Sequence, residues 1–269
     1  MKELHLEAIQ RIGFELLVEF KQFCEKNGLR YYICFGTLIG AVRHQGFIPW
    51  DDDIDVIMPR PDFERFQQLY ADHGRYKLFS CRRQKNYLYP YLKLCDATTY
   101  SVLANGTKNE RGVGIDIFAL DGQGDNYEQE KARFQKLKRI FFKSSFMAER
   151  MNHLNPSGKA SIVLKKSIAK LMFTSGIANF ITKQIDRQLS GRNYADCDMV
   201  STVQDLYASR YRQWDKSRFG DGCLLQFQNE WFTAPLDYAG LLTDLYGDYM
   251  TPPPVEKRAT THFEKYFSE

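Results

Sequence analysis

Four aspartates fall within five residues, at Asp51, Asp52, Asp53 and Asp55, and the run leads straight into Val56-Ile57-Met58. Carboxylates this close repel one another, so grouping them costs stability unless a cation lies against them. The apolar residues that follow require burial. Together these demands predict a strand over Ile54–Met58 that carries charge at its entrance and is closed by Pro59 and Pro61. Residues two apart in a strand point to one face, so Asp53 and Asp55 can hold a hard cation such as Mg2+ through oxygen. Asp116 sits in a matching apolar frame, Gly114-Ile115-Asp116-Ile117-Phe118, and could add a third carboxylate from a neighbouring strand. The plainer readings are an exposed acidic turn for 51–55 and a buried acid with a local partner for Asp116. Pro49-Trp50 before the run and the apolar residues after it argue against a turn alone. Asp51 and Asp52 read individually as turn or capping residues.

Other segments supply the frame. Leu6, Ile9, Ile12, Leu16, Phe20 and Phe23 recur every three or four residues, which predicts an opening amphipathic helix ended near Asn27-Gly28. Tyr31–Phe35 reads as a short strand that stops at Gly36, and Thr37–Val42 as the start of a helix. Asp62 is placed to cap a helix running through Phe63, Phe66 and Leu69. Tyr76–Ser80, Tyr87–Leu94, Ser101–Ala104 and Gly114–Leu120 read as further strands. After Cys197 short strands return, with Leu224–Phe232 the clearest. Leu236–Tyr246 reads as a last helix, and Pro252-Pro253-Pro254 as the start of an exposed tail.

Charge divides the chain. Residues 126–189 have a helical pattern and carry 13 Lys/Arg against 4 Asp/Glu, or +9, while the rest carries 24 against 29, or −5. The total of +4 is too small to imply a nucleic-acid partner. Ile162, Leu164, Ile168, Leu171, Met172, Ile177, Phe180, Ile181, Ile185 and Leu189 form an apolar stripe, with Lys165, Lys166, Lys170, Lys183 and Arg187 able to line its other side. This is either a helical subdomain packed on the core or a surface that docks on anionic lipid. Of the 269 residues 43% are hydrophobic, enough for a sizeable core, yet no apolar run reaches the length of a membrane span. Met1–Phe20 is broken by glutamates and does not read as a secretion signal. The six scattered cysteines then read as reduced thiols, and the expected setting is the cytoplasm, with peripheral contact at the inner face of the membrane.

Gly36-Thr37 forms the other half of the expected site. Glycine admits a phosphate to the backbone, a helix opening beyond it aims N–H groups at the anion, and the threonine hydroxyl adds a donor. A metal on one side and N–H groups on the other would suit a diphosphate-linked donor. Arg43 and His44 read either as phosphate contacts or as solvated cations at a helix end. Lys93 reads either as a phosphate contact or as an outward-facing strand lysine. Trp50, Tyr87, Tyr89, Tyr91 and Trp231 could cage a quaternary ammonium, or simply pack.

Glycine at a strand end, then two acids flanking an apolar residue, then a lone acid on a later strand, resembles the nucleotidyltransferase superfamily. Within it, the block from Phe35-Gly36-Thr37 through Ile48-Pro49-Trp50 to Asp55-Val56 resembles the LicD family of phosphocholine transferases, to which the fukutins are related. The stretches 112–122 and 246–253 resemble that family's later blocks. The resemblance is weak across the basic segment. It departs from the wider superfamily in having Thr37 where Gly or Ser is usual, and fifteen residues between Thr37 and Asp53.

The resemblance implies a nucleotidyltransferase-like fold with Asp53 and Asp55 as metal ligands and Asp116 as the third acid. It also implies CDP-choline as donor, a cell-surface glycan precursor, free or lipid-linked, as acceptor, and CMP as product. Two Mg2+ ions are expected, with Asp116 as the base. The expected architecture is α/β: a small mixed sheet flanked by helices over 1–124, a basic helical insertion over 125–195, and strands and a helix over 196–269 that complete the core. Transfer of a nucleotidyl, phosphoethanolamine or polyol phosphate group is the alternative within enzymes. A binding protein that has kept the fold is the alternative outside them.

Overall fold

The computed structural model describes residues 2–102, 108–109, 111–152, 175–206, 208, 210–258 and 265–268. In chain order these form β1 (Lys2–Glu3), α1 (Leu6–Asn27), β2 (Tyr32–Ile33), α2 (Phe35–His44), β3 (Asp55–Pro59), α3 (Arg60–Leu69), β4 (Tyr76–Phe79), β5 (Leu92–Asp96), β6 (Thr99–Val102), β7 (Lys108–Asn109) and β8 (Gly114–Gln123). Then follow α4 (Tyr127–Asn152), α5 (Ser175–Leu189), β9 (Met199–Thr202), β10 (Trp214–Asp215), the pair β11 (Cys223–Phe227) and β12 (Glu230–Ala234), α6 (Tyr238–Tyr246) and β13 (Lys265–Ser268). The fold is α/β. The chain divides into one unit of residues 1–78, 92–120 and 214–269, and a second of 79–91 and 121–213. The second thus takes in more than the basic segment, including a stretch that precedes β5.

In the first unit β8 lies between β3, which runs parallel to it, and β5, which runs antiparallel. Beyond β3 comes β2, antiparallel. The apolar stripe of α1 explains its burial: Leu16, Leu17, Phe20 and Cys24 are fully buried in the core that also holds Val56, Ile117 and Leu94. Each large side chain so buried contributes roughly 1.5–3 kcal/mol. Gly28 ends α1 in the left-handed region at φ 61, where a side chain would be strained.

Several boundaries differ from the sequence reading. The strand expected at Tyr31–Phe35 is only Tyr32–Ile33, because Phe35 already opens α2. β3 begins at Asp55, so Asp53 lies in the loop ahead of it and does not share its strand. Asp62 does not cap α3. The N-cap is Pro59 with no side-chain bond, and the Asp62 carboxylate instead accepts from Arg30 Nε at 2.8 Å. Tyr87–Tyr91 is not strand, since β5 starts at Leu92. The segment 224–232 is a hairpin that turns at Gln228, φ 57, rather than one strand. The tail is exposed at 251–256 but does not stay so, for β13 returns to pair with β6 and β1. Ala104, Ile162, Leu164, Lys165, Lys166, Ile168, Lys170, Leu171 and Met172 lie outside the described residues.

In the second unit α4 and α5 pack together, and the stretch 79–91 is pinned to α5. The buried amide of Asn179 donates to the carbonyls of Cys81, Gln84 and Tyr87 at 2.8, 3.1 and 3.0 Å. Arg82 Nη2 reaches Asp186 at 2.6 Å. All six cysteines are free thiols, as expected, with Cys24, Cys34, Cys81 and Cys95 buried. Among the described residues no helix is long and apolar enough to cross a membrane.

Candidate active site

Three strands align the polar groups. Asp116 of β8 is in register with Asp55 of β3 on one side and with Lys93 of β5 on the other. Register partners on adjacent strands share a face, so Lys93, Asp116 and Asp55 form a row across the sheet. Their neighbours Leu94, Ile117 and Val56 point to the opposite face and are fully buried in the core. The Lys93 ammonium donates to Asp116 Oδ1 at 2.7 Å, both side chains less than a fifth exposed.

The row ends against the turn into α2. Cys34 N–H donates to the Asp55 carbonyl at 3.1 Å, and Asp55 N–H donates to Thr37 Oγ1 at 2.8 Å. Thr37 is buried, so its hydroxyl fixes the backbone of Asp55. Phe35 holds φ 49 at this turn, a left-handed conformation that costs a residue with a side chain about 1–2 kcal/mol. Its ring stands edge-on to Phe118 at 5.8 Å. Strain of this kind is kept where surrounding packing demands it, and often at functional positions.

Gly36 packs against the carboxylate of Asp51. A Cβ on it would come within 2.8 Å of Asp51 Oδ2, so the missing side chain makes room for that carboxylate at the N-terminus of α2. A negative charge is favoured at a helix N-terminus. Asp51, which the sequence reads as a turn or capping residue, thus stands at the N-terminus of α2, where its charge also acts on Asp55. The signal was its distance from Gly36, one loop's length, which only the packing of that loop converts into contact.

The electrostatics centre on Asp55. Burial pushes its carboxyl pKa well above the usual range, the charges of Asp53, Asp116 and Asp51 push it further, and Lys93 opposes them. Burial works against the charge on Lys93, yet Asp116, with Tyr266, Cys95 and Asp53 behind it, holds the ammonium pKa well above its ordinary value. Tyr266 comes from β13, the strand that the sequence reading took for exposed tail. The alternation in Lys265-Tyr266-Phe267-Ser268 was its only signal. Asp51, Asp53, Asp55 and Asp116 carry the hard oxygen donors that a divalent cation such as Mg2+ takes. Among the described residues, however, no three His, Cys, Asp or Glu side chains stand together so as to hold a metal ion.

Arg43, His44 and Trp50 lie together at the other end of α2. Arg43 and His44 occupy the last turn of α2, about 10 Å along the helix from Gly36 at 1.5 Å per residue. Trp50 stands edge-on to His44 at 6.5 Å, with the Arg258 guanidinium 4.7 Å from its ring centre. Of the other cage candidates, Tyr87, Tyr89 and Tyr91 pack on one another in the second unit with centroids 5.3–6.2 Å apart. Trp231 is 54% exposed on the β11–β12 hairpin.

This arrangement lies within a likeness that runs end to end. The lipopolysaccharide cholinephosphotransferase LicD of Haemophilus influenzae is 30% identical over 271 residues, covering 99% of either chain. The chain belongs to the LicD family. A family model described as LicD/FKTN/FKRP, nucleotidyltransferase domain, matches residues 28–154, which include the Lys93, Asp116 and Asp55 row and both ends of α2. Two partial matches come from Saccharomyces cerevisiae. Mannosyltransferase regulator 14 is 24% identical over 224 residues, 74% of this chain and 24% of the yeast protein. Mannosyltransferase regulator 4 is 28% identical over 109 residues, 38% of this chain and 9% of its own.

Proposed function

We propose that the chain transfers phosphocholine from CDP-choline to a sugar hydroxyl of a cell-surface glycan precursor and releases CMP. The observation that carries this reading is the likeness over 99% of both chains to a protein named for cholinephosphate transfer to lipopolysaccharide. The row of Asp55, Asp116 and Lys93 supports phosphoryl chemistry in particular, because such transfer depends on positioning and charge stabilisation.

Asp53, Asp55 and Asp116 would hold Mg2+, expected as two ions, which supplies positive charge to the phosphoryl group in the transition state. The acceptor hydroxyl oxygen attacks the distal phosphorus, the bond from that phosphorus to the CMP oxygen breaks, and CMP leaves with the electron pair. Asp116 takes the hydroxyl proton, with Lys93 orienting its carboxylate. Thr37 holds Asp55 at its backbone. A non-catalytic binding protein would have no use for an intact acid set bonded in this way.

A lipid-linked acceptor would bring the chain to a membrane, and an anionic surface suits the second unit. There Phe142 and Phe180, 44% and 59% exposed, stand on α4 and α5 with Lys136, Arg139, Lys143 and Arg187. Basic residues near such a surface contribute about 1 kcal/mol each.

The deciding assay supplies CDP-choline, Mg2+ and a glycan precursor and follows products by phosphorus NMR and mass spectrometry. CMP together with an acceptor heavier by phosphocholine is the expected result. Cytidine bound to the acceptor, or CTP consumed with release of pyrophosphate, would replace this reading with nucleotidyl transfer.

A further inference from the structure

The C-terminal end of α2 gathers positive charge that meets no carboxylate among the described residues. Arg43 Nη1 donates to the Tyr249 carbonyl at 2.7 Å, and its Nε donates to His44 Nε2 at 2.9 Å. The His44 ring nitrogen is therefore an acceptor, which leaves the ring neutral with its proton on Nδ1. Arg258 Nε donates to the Pro253 carbonyl at 2.8 Å while its guanidinium covers Trp50. Every one of these partners is uncharged. Among the described residues neither guanidinium meets a carboxylate.

The two arginines also act on each other. Burial, and then the charge of Arg258, lower the pKa of Arg43, and burial and Arg43 lower that of His44. Half-buried like charges held together in this way destabilise the fold until an anion comes between them. Each guanidinium is held in place: the Tyr249 and Pro253 carbonyls each accept from one of them, and the second also lies over the Trp50 ring. A planar guanidinium fork matches the oxygens of a phosphate.

We infer that Arg43, His44 and Arg258, braced by Trp50, form a phosphate-binding subsite about 10 Å along α2 from Gly36. Its ligand is a phosphate monoester or diester, carried by a nucleotide or by a sugar phosphate. The subsite stands whether or not the transfer reaction proposed above is correct, since neither metal nor turnover enters its geometry.

The test uses the full chain in EDTA at fixed ionic strength, so that no metal can seat an anion on the aspartates. Binding of inorganic phosphate, CMP and glucose 1-phosphate is followed by calorimetry and by phosphorus NMR line width. Arg43→Gln and Arg258→Gln should each weaken binding about tenfold, the scale of one charge-assisted hydrogen bond, while Asp55→Asn should not weaken it. CMP binding more tightly than inorganic phosphate would assign the subsite to the nucleotide, and glucose 1-phosphate doing so would assign it to the acceptor. Circular dichroism checks each variant. Arg258→Lys, which keeps the charge and loses the fork, should give a smaller loss and serves if the glutamine variant does not fold. Absence of phosphate binding, or binding undiminished in both arginine variants, would overturn the assignment.

Discussion

Thr37→Val tests whether this threonine serves the backbone of Asp55 rather than a ligand. The side chain is 3% exposed, and its Oγ1 accepts the Asp55 N–H at 2.8 Å. Valine keeps the shape and removes the acceptor, so a buried N–H loses its partner. Such a loss costs about 1–3 kcal/mol, and here it falls on the first residue of β3, in the row with Asp116 and Lys93. Thr37→Ser keeps the oxygen and deletes one methyl, worth about 0.8 kcal/mol. Urea unfolding should therefore rank the proteins wild type, Ser, Val. Amide hydrogen exchange should show the Asp55 N–H protected in the first two and exposed in the third. Transferase activity should follow the amide, falling at least about tenfold in Thr37→Val, since each 1.4 kcal/mol is a factor of ten. If the Val variant keeps wild-type stability and a slowly exchanging Asp55 amide, the positional role is wrong.

Three further outcomes follow from the same structure. Asp55→Asn should lose activity by several orders of magnitude yet gain stability at neutral pH in EDTA. The raised pKa means the folded state binds the proton more tightly, so wild-type stability falls as pH rises from the ordinary carboxylate value through the folded one. The gain should vanish below that window, and an Asn variant less stable at pH 7 would contradict it. Asn179→Ala should free three carbonyls of the 79–91 stretch, costing about 2–3 kcal/mol and showing as faster exchange of amides in that stretch and in α5. The protein should co-sediment with anionic vesicles and not with neutral ones, with salt and Phe142→Ser weakening the association. Equal indifference to both vesicle types would reduce the exposed face to ordinary surface.

Much of the site could be read from sequence because its signals are local. The 3.6-residue period of α1 and the left-handed need at Gly28 require no knowledge of the rest of the chain. The apolar frames around Asp55 and Asp116 placed both acids on strands, and the ladder brought those strands together. What escaped the reading depends on contacts distant in sequence. Strand alternation suggested that Asp53 and Asp55 shared a face, but the ladder starts at Ile54 and Asp55, leaving Asp53 in the loop. Lys93 reads either as a phosphate contact or as an outward-facing strand lysine, and only the pairing of β5 with β8 shows it bonded to Asp116. Tyr266 and Arg258 come from a stretch whose prolines signal a tail, and only the brief alternation of Lys265-Tyr266-Phe267-Ser268 hints that β13 returns to pair with β6 and β1.

The loop that follows α2 turns back along the helix that precedes it. Gln45 caps the helix at φ 53, and Gly46 lies so close to Gly40 that a Cβ on Gly40 would overlap the Gly46 carbonyl. One helical turn earlier, about 6 Å away, the same loop lays Asp51 against Gly36. The two glycines act as the marks of a ruler, and residues 47–50 are the length cut to fit between them. Substitutions within that length can be absorbed by side chains. A one-residue insertion or deletion cannot, because it shifts Asp51 off its mark by up to about 3.5 Å and drags the entrance of β3 with it. Variation in this loop is thus constrained in number before it is constrained in kind.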